Sequence, residues 1–144
     1  MVTVTRRESP REGGARDRLG WYLRRTGEVF LANPDFLRLH LILLMNAEAS
    51  DEAEAAEVDR IIERVRRDGT VIMNRMIADS FAAYGPEAAQ AVADRLDRFA
   101  VSGFDGAFVA WQADRSQSMD AAMALLTDAV VAVGESIAES VRAE

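Results

Sequence analysis

The chain carries few residues able to do covalent chemistry. It has one histidine, His40, and no cysteine, which excludes thiol catalysis, zinc-thiolate sites and disulfides together. No serine stands between glycines at nucleophile-elbow spacing, and no glycine-rich phosphate loop occurs. A single histidine cannot supply a two-histidine metal motif, nor the Glu-x-x-His pair that carboxylate bundle sites repeat on two helices. The expectation is a protein that is not an enzyme, with no cofactor and no metal.

Non-covalent binding is better provided for. His40 lies in the apolar run FLRLHLILLM. It is either a structural histidine bonded to a carbonyl or carboxylate, or the lining of a cavity where it hydrogen-bonds a small molecule. Arg38 in the same run presents a similar choice between an ion pair and an anion ligand. Met45, Met73, Met76, Phe81, Phe99, Phe104 and Trp111 are each ordinary core residues taken singly. Taken together, flexible methionines beside aromatics are also what an adaptable apolar pocket uses, because Met refills irregular space at little cost. Gly69 interrupts the helical pattern around it, at ~1 kcal/mol relative to Ala. Its presence implies a bend, or the close approach of another backbone or a ligand.

The elements that must position these residues are helical. Ala15 to Leu31 places Leu19, Tyr22, Leu23 and Phe30 on one face, and Asn33-Pro34-Asp35 ends that helix and caps the next. The second helix, Phe36 to about Ala47, is apolar almost all round, which predicts the central helix of the domain. Ser50-Asp51-Glu52 opens a third helix to about Tyr84, with Asp51 and Glu54 at capping-box spacing, Glu63 placed to pair with Arg67, and a solvated, ion-paired outer face. Gly85-Pro86 breaks the chain, and a fourth helix follows to about Ala113. After RSQS comes a fifth, with Met119, Met123, Leu126, Val130, Val133, Ile137 and Val141 at steps of three and four. A second apolar set on it, Ala122, Leu125, Ala129 and Ala132, exceeds what one neighbour covers and predicts a partner, a second copy of the chain. The fold class is all-α, an antiparallel bundle of about five helices whose last two form a four-helix dimer seam with that copy.

Length and charge agree with one domain. At 144 residues the chain divides into a polar, flexible lead-in, 1–14, and a helical domain, 15–144. It carries a net charge of −7, and its 17 basic residues are all Arg. It lacks the basic balance of a domain that grips nucleic acid by itself. No uninterrupted apolar run reaches ~18 residues and no secretory signal opens the chain, so the expectation is a cytoplasmic protein without membrane contact.

The helix order, the NPDFLRLHLILLMNAEASD passage and the DGAFVAWQAD…AMALLTDAVVAVGESI ending resemble the C-terminal regulatory domain of TetR-family transcriptional repressors, over about residues 15 to 141. The resemblance implies a small, mostly apolar effector and a homodimer. By helix order it puts His40, Met45, Met73 and Met76 nearer the effector pocket, with Phe81 of the Met and aromatic set beside them. It puts Phe104, Phe108, Trp111, Leu126, Val130 and Val133 in or beside the dimer seam, with Ile137 continuing their stripe. The family's helix-turn-helix head, usually some three helices ahead, does not fit in the lead-in. No direct DNA contact is therefore expected from this chain, whether fragment, late-started gene or naturally headless protein. The competing reading is a standalone helical protein-interaction module, an adaptor with no small-molecule cavity.

Overall fold

The computed structural model describes residues 12–45 and 52–144, with side chains of the second segment from residue 56. The chain forms α1 (Ala15–Ala32), α2 (Pro34–Met45), α3 (Glu52–Ser80), a single 3-10 turn at Ala82–Tyr84, α4 (Pro86–Ala113) and α5 (Met119–Ala143). There is no strand among the described residues, and the fold is an all-α bundle. The lead-in up to residue 11, the end of the second helix beyond Met45 and the expected Asp51–Glu54 capping box lie outside the described residues.

Local chemistry sets the boundaries. Gly85, at φ 95°, takes the left-handed conformation that ends the α3 segment, and Pro86 opens α4 with its preset φ. The Asp114 carboxylate stops α4 by accepting from the Ser116 backbone N–H at 3.0 Å and the Ser116 hydroxyl at 2.7 Å. Those bonds hold the carboxyl below its ordinary range. Ser118 Oγ then caps α5 by accepting from the Ala121 N–H at 3.1 Å. The result is a short turn that lays α5 back along α4.

The core is built on α4, which packs along both α3 and α5, while α1 lies chiefly against α5. Leu19, Leu23, Ile77, Phe81, Val92, Phe108, Met123 and Val130 are its largest fully buried side chains. Burying each contributes roughly 1.5–3 kcal/mol against the chain's conformational entropy. Small residues let the helices approach. A methyl at Gly134 would overlap the Phe81 ring and come within 3.0 Å of Val92 Cγ1. Between α1 and α3, Asp79 accepts from Arg18 at 2.8 Å and from the Tyr22 hydroxyl at 2.7 Å. The Glu63–Arg67 pair forms as expected, at 2.8 Å on the exposed side of α3.

One expectation needs correction. The apolar α2 is not the central helix: Leu37 is buried, whereas Phe36, Leu39, Ile42 and Met45 are exposed. The cause is connectivity. Asn33 alone separates α1 from α2, too little chain for α2 to fold back alongside α1. It therefore crosses the bundle's flank and touches α1 and α3. The fifth helix, α5, is long and apolar enough to cross a membrane by length and composition, although it holds no uninterrupted apolar run of that length. Its Met123, Val130 and Ala138 are instead buried in the core.

Candidate functional site

The crossing of α2 leaves a space beneath it. A cavity of about 150 Å³ lies between Thr26 and Phe30 of α1, Phe36, Leu37 and His40 of α2, the inner face of α3, and Val101, Phe104 and Asp105 of α4. From α3 come Val65, Arg66, Gly69, Ile72, Met73 and Met76. Ile62, Met73 and Met76 are buried on the core side of α3, and the helical period places Gly69 on that same side. Yet a Cβ built on Gly69 would meet no atom within 4 Å. Gly69 is itself exposed, so the missing side chain leaves the space open towards solvent. No neighbouring backbone accounts for this glycine.

Most of the wall is apolar and aromatic. Phe30 stands edge-on to Phe104 at 5.3 Å between ring centroids, and tilted to Phe36 at 6.4 Å. One end is polar. Asp105 Oδ2 lies 3.7 Å from Arg66 Nη1, an ion pair too long to be a hydrogen bond. Burial pushes the Asp105 carboxyl above its ordinary range, opposed by the charges of Arg66 and His40. Burial likewise pushes His40 down, opposed by Asp105 and assisted by Arg66, so the imidazole is neutral at pH 7. Thr26 is already engaged, donating its hydroxyl to the Tyr22 carbonyl at 2.8 Å. The cavity wall contains no serine, and its one threonine is committed. The arrangement is equipped to bind.

Three of the five expected pocket residues meet here, namely His40, Met73 and Met76. Met45 does not line the cavity and is 85% exposed at the end of α2. Phe81 is fully buried in the core, beside Tyr84 and the Gly134 backbone. Asp105 and Arg66 were not anticipated. The signal for Asp105 was available: it is the one charged residue between Arg98 and Asp114, in an otherwise apolar stretch of α4.

The expected seam residues are placed differently. Phe104, Phe108, Leu126 and Val130 are buried within the single chain, and Trp111 and Ile137 are half-buried against the same core. Of the seven, Val133 is exposed. The core-facing stripes of α4 and α5 are already filled by α1 and α3, so an outward contact needs the opposite stripes. Those carry Phe99, Gly106 and Val109 on α4 and Ala129, Ala132 and Val133 on α5, with Leu125 71% exposed. Leu125, Ala129 and Ala132 of the second apolar set on the last helix lie on this face, together with Val133 of the expected seam.

A wider groove of about 640 Å³ between α3 and α4 is lined by Arg66, Arg67, Arg75 and Arg98 with Glu63 and Asp97. It is open, and several of its polar groups satisfy one another, as in Asn74 donating to Asp94 and Asp97, both at 3.0 Å. Larger volume does not make it the better site. No group of three His, Asp or Glu among the described residues is placed to hold a metal ion. No protein-family model matches the chain, and neither a curated protein nor a solved structure matches it.

Proposed function

We propose that this chain is the ligand-binding and dimerisation domain of a TetR-like transcriptional regulator, that it senses a small, mostly apolar molecule, and that it acts as a cytoplasmic homodimer without catalysis. The observation that carries the reading is the cavity with Gly69 in its wall. A helix-interior glycine costs ~1 kcal/mol relative to Ala, and a recess left open beside it forgoes apolar packing. A chain selected for stability alone would place a side chain there. Retaining both is understandable where the space must receive a ligand.

The layout offers a route for a signal. Thr26 and Phe30 put α1 on the cavity wall. The same helix rests on α5, where a Cβ at Gly27 would stand 3.5 Å from Met123 Cγ and one at Gly20 3.6 Å from Thr127 Cγ2. A ligand that displaces α1 therefore acts on the helix carrying the proposed pairing face. That face is exposed, apolar and rich in Ala and Gly, which suits close helix contact with a second copy.

The test has two parts. Benzene-sized apolar compounds should raise the melting temperature, since a ligand specific for the native state stabilises it by mass action. Gly69→Leu should abolish the shift. For pairing, light scattering at micromolar concentration should give a dimer, and Leu125→Glu a folded monomer. A monomeric wild-type chain would refute the dimerisation half, and the absence of any thermal shift would refute the sensor half.

A second reading, an adaptor that docks on a partner protein, is favoured by the exposed Phe36, Leu39, Ile42 and Met45 on α2. The cavity's size also leans that way, since drug-sized ligands usually occupy ~300 Å³ or more. An apolar cavity of roughly 150 Å³ nevertheless holds benzene in other proteins. Sensing is therefore proposed for ligands of that size.

A further inference from the structure

We propose that the cavity selects a small lipophilic amine, with its protonated nitrogen against the Asp105 carboxylate and its apolar body among Phe30, Phe36, Met73 and Met76. The inference rests on the sensing role proposed above and adds the chemical class of the ligand.

Asp105 lacks hydrogen-bond donors among the described residues. An ionised carboxylate has about four acceptor positions. Asp105 receives no hydrogen bond from any described residue, and its nearest cation, Arg66, stands off at 3.7 Å. Its side chain is 21% exposed, so water reaches the carboxylate only in part. Buried polar groups are normally paired, and an unpaired one facing a cavity is an unused attachment point. What it can attach is a donor, and a charged donor best.

The sign of the ligand charge follows from which member of the Arg66–Asp105 pair can give way. Arg66 is 39% exposed, and it lines both the cavity and the open groove on the outer side of α3 and α4. Its long side chain can turn into that groove and keep its charge solvated. The short Asp105 side chain has no such alternative. An ammonium entering the cavity replaces Arg66 as partner to Asp105, whereas a carboxylate would have to sit beside Asp105 and pay like-charge repulsion. His40 adds no competing positive charge, because its imidazole is neutral and can accept a hydrogen bond. Phe30, Phe36 and Phe104 in the same wall provide aromatic surface of the kind that attracts cations. The volume limits the body to about one six-membered ring.

The experiment is calorimetric titration of the full chain at pH 7 with benzylamine, benzyl alcohol and benzoate, three probes of similar shape and different charge. Benzylamine should bind more tightly than benzyl alcohol by about tenfold to a hundredfold, the range for a hydrogen bond between charged groups. In Asp105→Asn that preference should shrink to within about twofold. Arg66→Gln, which removes the competing cation without touching the carboxylate, should widen the preference for benzylamine over benzyl alcohol. Equal binding of amine and alcohol would overturn the amine assignment while leaving the cavity reading intact. Tightest binding by benzoate would also overturn it, in favour of Arg66 as anchor. If none of the three probes binds, the sensing role and the amine assignment fall together.

Discussion

Gly69 gives the sharpest test, because the same substitution has different consequences at two helix-interior glycines. At Gly69 a methyl meets nothing within 4 Å, so Gly69→Ala gains the helix propensity of Ala, ~0.8–1 kcal/mol, without an opposing steric term. In a domain of this size that gain corresponds to a rise in melting temperature of about 3–5 °C. Gly69→Leu goes further: its side chain lies against the apolar recess, and because Gly69 is exposed its burial is partial and adds less than the roughly 1.5–3 kcal/mol of a fully covered Leu. Urea unfolding followed by circular dichroism reads both variants, and an unchanged m-value would show that the compactness of the two states is preserved. Stability and binding should then move in opposite directions, with Gly69→Leu the most stable variant and the one that no longer binds benzyl alcohol. A loss of more than about 0.5 kcal/mol in Gly69→Ala would show that the space is not there. The cavity argument would fail with it.

Gly134→Ala gains the same propensity but drives a methyl into the Phe81 ring, so overpacking of about 1–3 kcal/mol should leave it less stable than Gly69→Ala by that amount in parallel urea titrations. Asp105→Asn should stabilise the ligand-free protein at pH 7. Burial raises the folded-state value of Asp105, so the stability linked to its proton is fully present below the unfolded value of ~3.9 and is lost as pH rises through the folded value. The variant's advantage in melting temperature should therefore close as pH falls toward ~4, and a variant less stable than wild type at pH 7 would contradict this. His40 works in the other sense. Its lowered folded value makes its contribution present above ~6.5 and lost as pH falls through the folded value, so wild type and variant are compared at each pH. Asp79→Ala should destabilise by about 1 kcal/mol, below the usual figure for charged hydrogen bonds because Asp79 is 41% exposed; thermal unfolding unchanged from wild type would show that the Arg18–Asp79–Tyr22 contact carries no weight.

Much of the bundle was legible residue by residue, because helix boundaries depend on near neighbours. Pro34, Gly85-Pro86 and Ser118 act within a turn of their own positions, and the helices begin and end within a few residues of where those signals put them. The candidate site was legible in part. His40, Met73 and Met76 stood out by type, and Gly69 by its cost in a helix. Asp105 and Arg66 lie 39 residues apart, and nothing local to either announces that α3 and α4 bring them to the same cavity end. Met45 and Phe81 resembled their neighbours in composition, but one lies at the exposed end of a flank helix and the other in the core.

The two faces of the last helix pair divide the matter most clearly. Periodicity alone determined that α5 carries more apolar surface than one neighbour covers, since spacing at three and four residues depends only on the helix repeat. Which stripe faces inward depends on where α1 and α3 lie. Tertiary packing put Leu126 and Val130 inside and left Leu125 and Val133 outside. The same holds for α2: its uniform apolarity was evident in sequence, but a one-residue link to α1 set it on the flank, where it roofs a cavity instead of filling a core. Local sequence determines what each helix can bury, and the connections and competing neighbours decide what it does bury.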